Sequence, residues 1–309
     1  MAVKKQSKQK QVMIADLLCL LVACIWGSGF IASQLAIDSK LSASLIMTLR
    51  FTIAAAVMFL CCIPKLKGFT RHELLSGFVA GLFLCSAFFT QTLGQQRTTI
   101  SHCAFLTATN VVMVPFIMWA INRRRPPLRN FLITAATLAG ISILSIAPGS
   151  FELSFNSGDV LCLLCALLFA LHISCMEWAL KDSDVMRVNL IQLATAAVIS
   201  TAVFLTTDQN TAVSADFSKG LPAVLFLGVF STCLCYFLQT VAQKYTTPAQ
   251  AGVLLSTEGL FGTMLSVILG MEALSLNMVV GGLIILLSVI LQEFLSAKAA
   301  AKKQDACTV

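Results

Sequence analysis

Ten apolar stretches of membrane-spanning length divide the chain, separated by connections too short to hold a domain of their own. They are residues 13–36, 42–63, 73–96, 101–122, 128–148, 158–180, 187–207, 220–243, 249–270 and 276–296. A helix needs about 20 mainly apolar residues to cross the hydrocarbon core of a bilayer. The expected fold is therefore an all-α integral membrane protein of ten transmembrane helices. Its longest connection, residues 208–219, carries Asp208, Asn210, Ser214 and Asp216. Composition closes off the soluble classes. Of 309 residues, 58% are hydrophobic and 11% charged, and the mean hydropathy is +0.88. A soluble domain is about a quarter charged, and a disordered chain pairs low hydrophobicity with high charge.

The charges that exist are placed as topology signals. Ten crossings put both termini on one side. With the termini inside, Lys40, Arg97 and Lys219 are the outer basic residues and Arg50 lies within a span. The other seventeen of the 21 Lys and Arg are inside. The positive-inside rule then places the N- and C-termini in the cytoplasm, for a multi-pass protein of the cytoplasmic membrane. The net charge of +7 falls at span ends, including Arg123, Arg124 and Arg125, and not on an amphipathic face, so nucleic acid is not expected as a partner. A small-molecule substrate and the lipid bilayer are the expected partners, with a homodimer left open. The first stretch has basic residues before it, as a signal peptide would, but is too long for one and is kept in the mature chain. The 12 cysteines are scattered through apolar runs, and the lone C-x-x-C of Cys162 and Cys165 lies inside a span. They read as small packing residues.

The two halves repeat. Asp16-Leu-Leu-Cys-Leu-Leu matches Asp159-Val-Leu-Cys-Leu-Leu at an offset of 143. At an offset of 148, Cys85, Phe89, Gln91, Thr92, Gln95, Thr98, Thr99, Leu106 and Thr109 meet identical residues at 233, 237, 239, 240, 243, 246, 247, 254 and 257. Apolar composition alone does not repeat Gln and Thr in this way. The expected domains are a first five-helix repeat at 13–148 and a second at 158–296. An odd number of spans per repeat inverts the second relative to the first. That is the architecture of secondary transporters, with the substrate site near the midplane between the halves.

Several motifs carry a family resemblance. They are W-G-S-G-F at Trp26–Phe30, L-R-F at Leu49–Phe51 and N-V-V-M-V-P at Asn110–Pro115. They continue with Y-F-L-Q-T-V-A-Q-K-Y at Tyr236–Tyr245, S-T-E at Ser256–Glu258 and G-M-E at Gly270–Glu272. In this order and spacing, the chain resembles the EamA-type transporters of the drug/metabolite transporter superfamily over nearly its whole length. The resemblance implies a ten-helix exporter of small metabolites. Gln34 departs from it, standing where many relatives end the first helix with a basic residue.

Trp26, Gln91, Asn110, Tyr236, Gln239 and Glu258 are the expected substrate-path residues. Glu258 sits near mid-depth in the ninth span and its repeat mate is Asn110. It is the candidate for coupling transport to a proton, against the alternative of a packed, hydrogen-bonded carboxyl. Gln91 and Gln239 are repeat mates that either line opposite mouths of one path or bond between helices. Trp26, in mid-helix, either walls a cavity or packs. Arg50 costs about 2.5–3.5 kcal/mol at its depth. It reads as a structural charge clamping backbone carbonyls or a helix end, on a second span that the resemblance makes peripheral. His172 and Glu177 are weaker candidates, Glu177 falling near the inner end of its span. Pro115 is expected to interrupt the fourth span. Gly259 and Gly262, and the G-x-x-x-G of Gly77 and Gly81, mark close helix contacts. Asp16 and Asp159 read as caps at helix starts. The third, fourth, eighth and ninth spans should surround the path, beside the first and sixth, with the fifth and tenth peripheral.

No nucleotide-binding, metalloprotease or esterase motif is present, and no catalytic residue, metal or cofactor is expected. The function expected is secondary transport of a small polar or amphipathic, amino-acid-like metabolite, outward, with proton coupling as a further expectation. A non-transporting membrane receptor or scaffold and an intramembrane lipid-modifying enzyme are the alternatives.

Overall fold

The computed structural model describes residues 2–123, 125, 127–144, 155–208, 210, 215–246, 251–252, 254–255 and 257–306. Arg124, residues 145–148 of the fifth stretch, Ser214, Thr247, residues 249–250 of the ninth stretch and Ser256 lie outside them. The described residues form helices and turns with no strand. Seven helices are long and apolar enough to cross a membrane. These are Gln11–Asp38, Ala43–Lys65, Arg71–Gln95, Ile100–Asn122, Ser157–Ala179, Val185–Asp208 and Phe217–Gln243. Three shorter apolar helices, Phe131–Gly140, Glu258–Ile268 and Leu276–Ser288, occupy the fifth, ninth and tenth stretches.

In chain order the helices are α1 (Ala2–Asp38), α2 (Ala43–Cys62), α3 (Arg71–Gln95), α4 (Ile100–Ala108), α5 (Asn110–Asn122) and α6 (Leu128–Leu144). They continue with α7 (Ser157–Ala179), α8 (Val185–Val203), α9 (Phe217–Phe226), α10 (Cys235–Gln243), α11 (Glu258–Ile268) and α12 (Leu276–Ala306). A π-helical stretch, Leu227–Leu234, joins α9 to α10 as one rod.

Helix starts are closed by side chains, since the first N–H groups of a helix have no partner within it. Ser42, Thr70, Thr99, Asn156 and Asp184 cap α2, α3, α4, α7 and α8. Thr70 with Glu73, and Asn156 with Asp159, form reciprocal capping boxes. Asp159 thus caps as expected, and it also accepts from Thr98 Oγ1 at 2.6 Å and lies 3.3 Å from His102 Nδ1. Asp16 does not cap: α1 begins at Ala2, so Asp16 is well inside the helix.

Close packing follows the small residues. A Cβ on Gly77 would fall 2.7 Å from Ile191 Cβ, and one on Gly81 2.7 Å from the Gln192 carbonyl, so this pair seats α3 on α8. Gly259 and Gly262 set α11 against Ala104 of α4. Gly27 brings α1 onto α11, where a Cβ would meet Phe261 Cβ at 2.5 Å. The α6 and α12 helices pack chiefly on each other, at one side of the bundle.

Candidate functional site

The fourth span is two helices, and a turn of the same kind precedes α11 in the ninth. The break after α4 lies at Thr109, whose Oγ1 donates to the Leu106 carbonyl at 2.6 Å. There the backbone turns tightly, Thr109 N–H bonding back to Leu106 O and Val112 N–H to Thr109 O. A threonine hydroxyl offers the preceding carbonyl an alternative to the helical ladder. The same construction precedes α11: Thr257 Oγ1 donates to the Leu254 carbonyl at 2.7 Å. Thr109 has φ −67°, ψ −6° and Thr257 φ −64°, ψ −8°. The two breaks stand 148 residues apart, at the repeat offset. Pro115 is not the interruption; α5 runs through it. Each break makes the next residue the first of a half-helix, and those residues are Asn110 and Glu258.

Asn110 and Glu258 face one cavity in the middle of the bundle, together with Trp26, Arg50, Gln91, Tyr236 and Gln239. All six expected path residues and Arg50 therefore lie in its wall. The pairing is symmetric. At the 148 offset the wall contains Phe88 with Tyr236, Gln91 with Gln239 and Asn110 with Glu258; at the 143 offset, Trp26 with Phe169 and Phe30 with Ile173. The cavity is narrow: the centre of a water molecule has only ≈ 20 Å³ in it. That is room for about one or two waters.

Arg50 is the charged residue of the wall that has no mate there: the residue 143 places on is Leu193. Arg50 is 2% exposed. Its Nε donates to Thr232 Oγ1 at 2.5 Å and a terminal nitrogen to Ser231 Oγ at 3.1 Å. Its guanidinium lies 3.8 Å from the centre of the Phe88 ring. Among the described residues Arg50 is thus held by hydroxyls and a ring and not by carbonyls or a helix end, and α2 reaches the cavity where a peripheral helix was expected. The π-helical stretch makes this possible, since its wider turn presents consecutive residues, Ser231 and Thr232, to one guanidinium. The Ser231 carbonyl accepts from the Trp26 indole at 2.7 Å. π-Bulges recur at functional sites for this reason: they free backbone groups and re-aim side chains.

The remaining polar atoms are only partly paired. Gln91 Nε2 donates to Thr107 Oγ1 at 3.4 Å, and Gln239 Nε2 to Gln243 Oε1 at 3.2 Å. Asn110 Oδ1, Gln239 Oε1 and Tyr236 OH are buried without a hydrogen-bond partner among the described residues. Buried polar groups are rarely left unmatched, and each costs about 1–3 kcal/mol when they are. The Tyr236 ring packs on Trp26, Phe88 and His172, with centroids 5.2, 5.9 and 5.7 Å away. His172 stands behind this wall, its Nε2 2.9 Å from Gln192 Oε1. Glu177 is exposed at the far end of α7 and takes no part. Gln34, the departure from the family pattern, bonds to Asp38 and Gln95 outside the cavity. Among the described residues no group of His, Cys, Asp and Glu could hold a metal.

Comparison with known proteins agrees with this architecture. The model of the EamA-like transporter family matches residues 13–146 and again residues 156–292, one match per repeat. An uncharacterized transporter of Archaeoglobus fulgidus is 33% identical over 283 residues, covering 90% of this chain and 85% of that one. A solved crystal structure aligns with 92% of this chain and 98% of its own at a TM-score of 0.69 and 16% identity, which shows a shared fold.

Proposed function

The chain belongs to the EamA-like transporter family and is a membrane transporter, and from that premise we propose what it moves and how. The ten apolar segments are ten crossings in two inverted five-helix repeats, with both termini in the cytoplasm. The protein is a secondary transporter of a small amphipathic zwitterion, an amino-acid-like metabolite, across the cytoplasmic membrane. Outward transport is the direction the family resemblance implies.

The observation that carries this reading is the cavity wall: repeat-related pairs from both halves, on which one cation, Arg50, and one carboxyl, Glu258, are superimposed. Arg50 has its fork to offer a carboxylate. Glu258, with the unpaired oxygens of Asn110 and Gln239, offers acceptors to an ammonium group. Trp26, Phe30, Phe88, Phe169 and Tyr236 supply an apolar wall for a side chain. A symmetric frame has two equivalent ways to open, one to each side, which is what alternating access requires. The breaks at Thr109 and Thr257 are the places where the two halves can bend. Glu258, exposed to each side in turn, then carries a proton one way against substrate the other way.

The test is flux into and out of proteoliposomes against a panel of amino acids, their decarboxylated and deaminated analogues, nucleosides and cationic drugs. Transport of zwitterions in preference to either single-charge analogue is the expected result. Flux that ignores the carboxylate or the ammonium sinks the zwitterion, and no substrate-dependent flux from folded protein sinks the transporter mechanism.

A further inference from the structure

A second, larger hollow lies away from the transport cavity, between α3, α5 and α7, and opens on the outside of the bundle. It offers ≈ 500 Å³ to solvent-sized centres, many times the room of the transport cavity. Its floor is apolar, with Phe83 of α3, Ile117 and Ile121 of α5 and Leu171 of α7. One face of α7 then changes character toward its end. Residues 171, 174, 178 and 181 recur at the helical spacing, and 177 sits beside them. The series runs from Leu171 through the Ser174 hydroxyl to Glu177 and Trp178, and Lys181 continues it in the turn just past the end of α7.

Two observations indicate a ligand. Ser174 is 4% exposed, and its Oγ lines this hollow with no hydrogen-bond partner among the described residues. Glu177 and Lys181 line the same mouth, yet neither is within ion-pair distance of an opposite charge among the described residues. An acid and a base unpaired beside one another at the end of an apolar groove complement a zwitterionic head on an apolar tail. Trp178, 43% exposed and edge-on to His72 at 5.1 Å, has the amphipathic character of a residue at the membrane–water boundary.

We propose that the α3–α5–α7 groove is a specific site for a phosphatidylethanolamine-type lipid. An acyl chain lies along Phe83, Ile117 and Leu171, the ester region meets Ser174, the phosphate meets Lys181 and the primary ammonium meets Glu177. The ammonium has N–H donors for the carboxylate. A choline head has the charge without the donors, and a glycerol head has hydroxyl donors without the charge. The inference does not depend on what the central cavity carries.

Binding is read as the rise in thermal unfolding midpoint, and as lipid retained in native mass spectrometry, when detergent-solubilised protein is titrated with matched-chain phosphatidylethanolamine, phosphatidylcholine or phosphatidylglycerol. The expected order places phosphatidylethanolamine first, by roughly three- to fivefold in apparent affinity, the span of one partly exposed charged contact. Glu177→Gln removes the preference and leaves the binding of phosphatidylglycerol in place. Lys181→Gln weakens all three. Lys244→Gln, a cation at another helix end, changes nothing. Equal binding of the three lipids, a preference for phosphatidylglycerol, or an ethanolamine preference that survives Glu177→Gln each overturns the assignment.

Discussion

At Glu258 the sequence pattern and the structure converge on one atom group. The repeat places it opposite Asn110, and the break at Thr257 makes it the first residue of α11, on the cavity wall. A carboxyl there can hold or release a proton; an amide of the same shape cannot. Glu258→Gln is expected to abolish flux driven by a pH gradient while substrate exchange continues at a comparable rate. Counterflow and gradient-driven uptake in the same vesicles separate the two, and full gradient-driven transport in the variant makes the carboxyl structural. Arg50→Lys is the companion change. It keeps the charge but replaces a planar fork with a point ammonium. That group cannot serve Ser231, Thr232 and the Phe88 face together, so transport should fall by roughly tenfold or more, the scale of one charge-assisted hydrogen bond. A variant that folds and transports at the parental rate removes Arg50 from the site.

At the scale of elements, the seven long apolar helices and the two family repeats were legible, because a crossing needs a long apolar run and an internal duplication preserves polar residues at fixed offsets. What was illegible depended on backbone departures. Pro115 looked like the interruption because it lacks an N–H, yet α5 accommodates it and the breaks come at two threonines whose hydroxyls take a carbonyl. Both threonines were already paired by the repeat. Arg50 was placed on a peripheral helix because nothing in an apolar run foretells the π-helical stretch that aims Ser231 and Thr232 at it. Glycines tell a simpler story. Gly27→Ala would force a Cβ to 2.5 Å from Phe261 Cβ and 2.8 Å from the Gly262 nitrogen, with backbone on the receiving side. It should destabilise the protein by about 1–3 kcal/mol. Gly252→Ala meets nothing closer than 3.7 Å and should be neutral. Thermal unfolding of the two purified variants checks the contrast, which fails if they unfold alike.

At one end of the bundle a charged clamp ties the connection after α2 to the start of α8. Lys65 Nζ donates to Asp184 Oδ2 at 2.7 Å, and Arg187 reaches the carbonyls of Lys65, Lys67 and Gly68. Burial pushes the Asp184 carboxyl up, but the Lys65 ammonium and the N–H groups of Met186 and Arg187 outweigh it and hold it below its ordinary value. A depressed carboxylate contributes stability above its unfolded-state value of about 3.9 and loses it as pH falls through the folded one. Asp184→Asn keeps the cap and drops the ion pair. At neutral pH it should cost about 0.2–1 kcal/mol, given how exposed the pair is. The difference from the parent should begin to shrink near pH 4 and close once the pH is below the depressed folded-state value. Unfolding midpoints measured down the pH scale test this, and a gap that persists in acid shows that the clamp acts through something other than charge.

At the scale of the whole molecule, the narrowness of the cavity is what the proposed transport has to overcome. A cavity in which the centre of a water molecule has only ≈ 20 Å³ is too narrow to pass a metabolite, and the alternating access proposed above requires the two repeats to part on one side and then on the other. Ser33 of α1 lies beyond Trp26, toward the end that the positive-inside rule places outside, and Gln239 of α10 lies toward the inside. Ser33→Cys should therefore react with a membrane-impermeant thiol reagent from the outer face, and Gln239→Cys from the inner face. Each should be protected when the other is exposed, and saturating substrate should shift both rates in opposite senses. Leu287→Cys on α12, exposed on the lipid side of the paired α6 and α12, should react from neither. Most native thiols are buried, which keeps their background low. Labelling of positions 33 and 239 from the same face, or of α12 as fast as the cavity, breaks the inverted-repeat mechanism at its root, because the two mouths would then not be related by the symmetry that pairs Gln91 with Gln239 and Asn110 with Glu258.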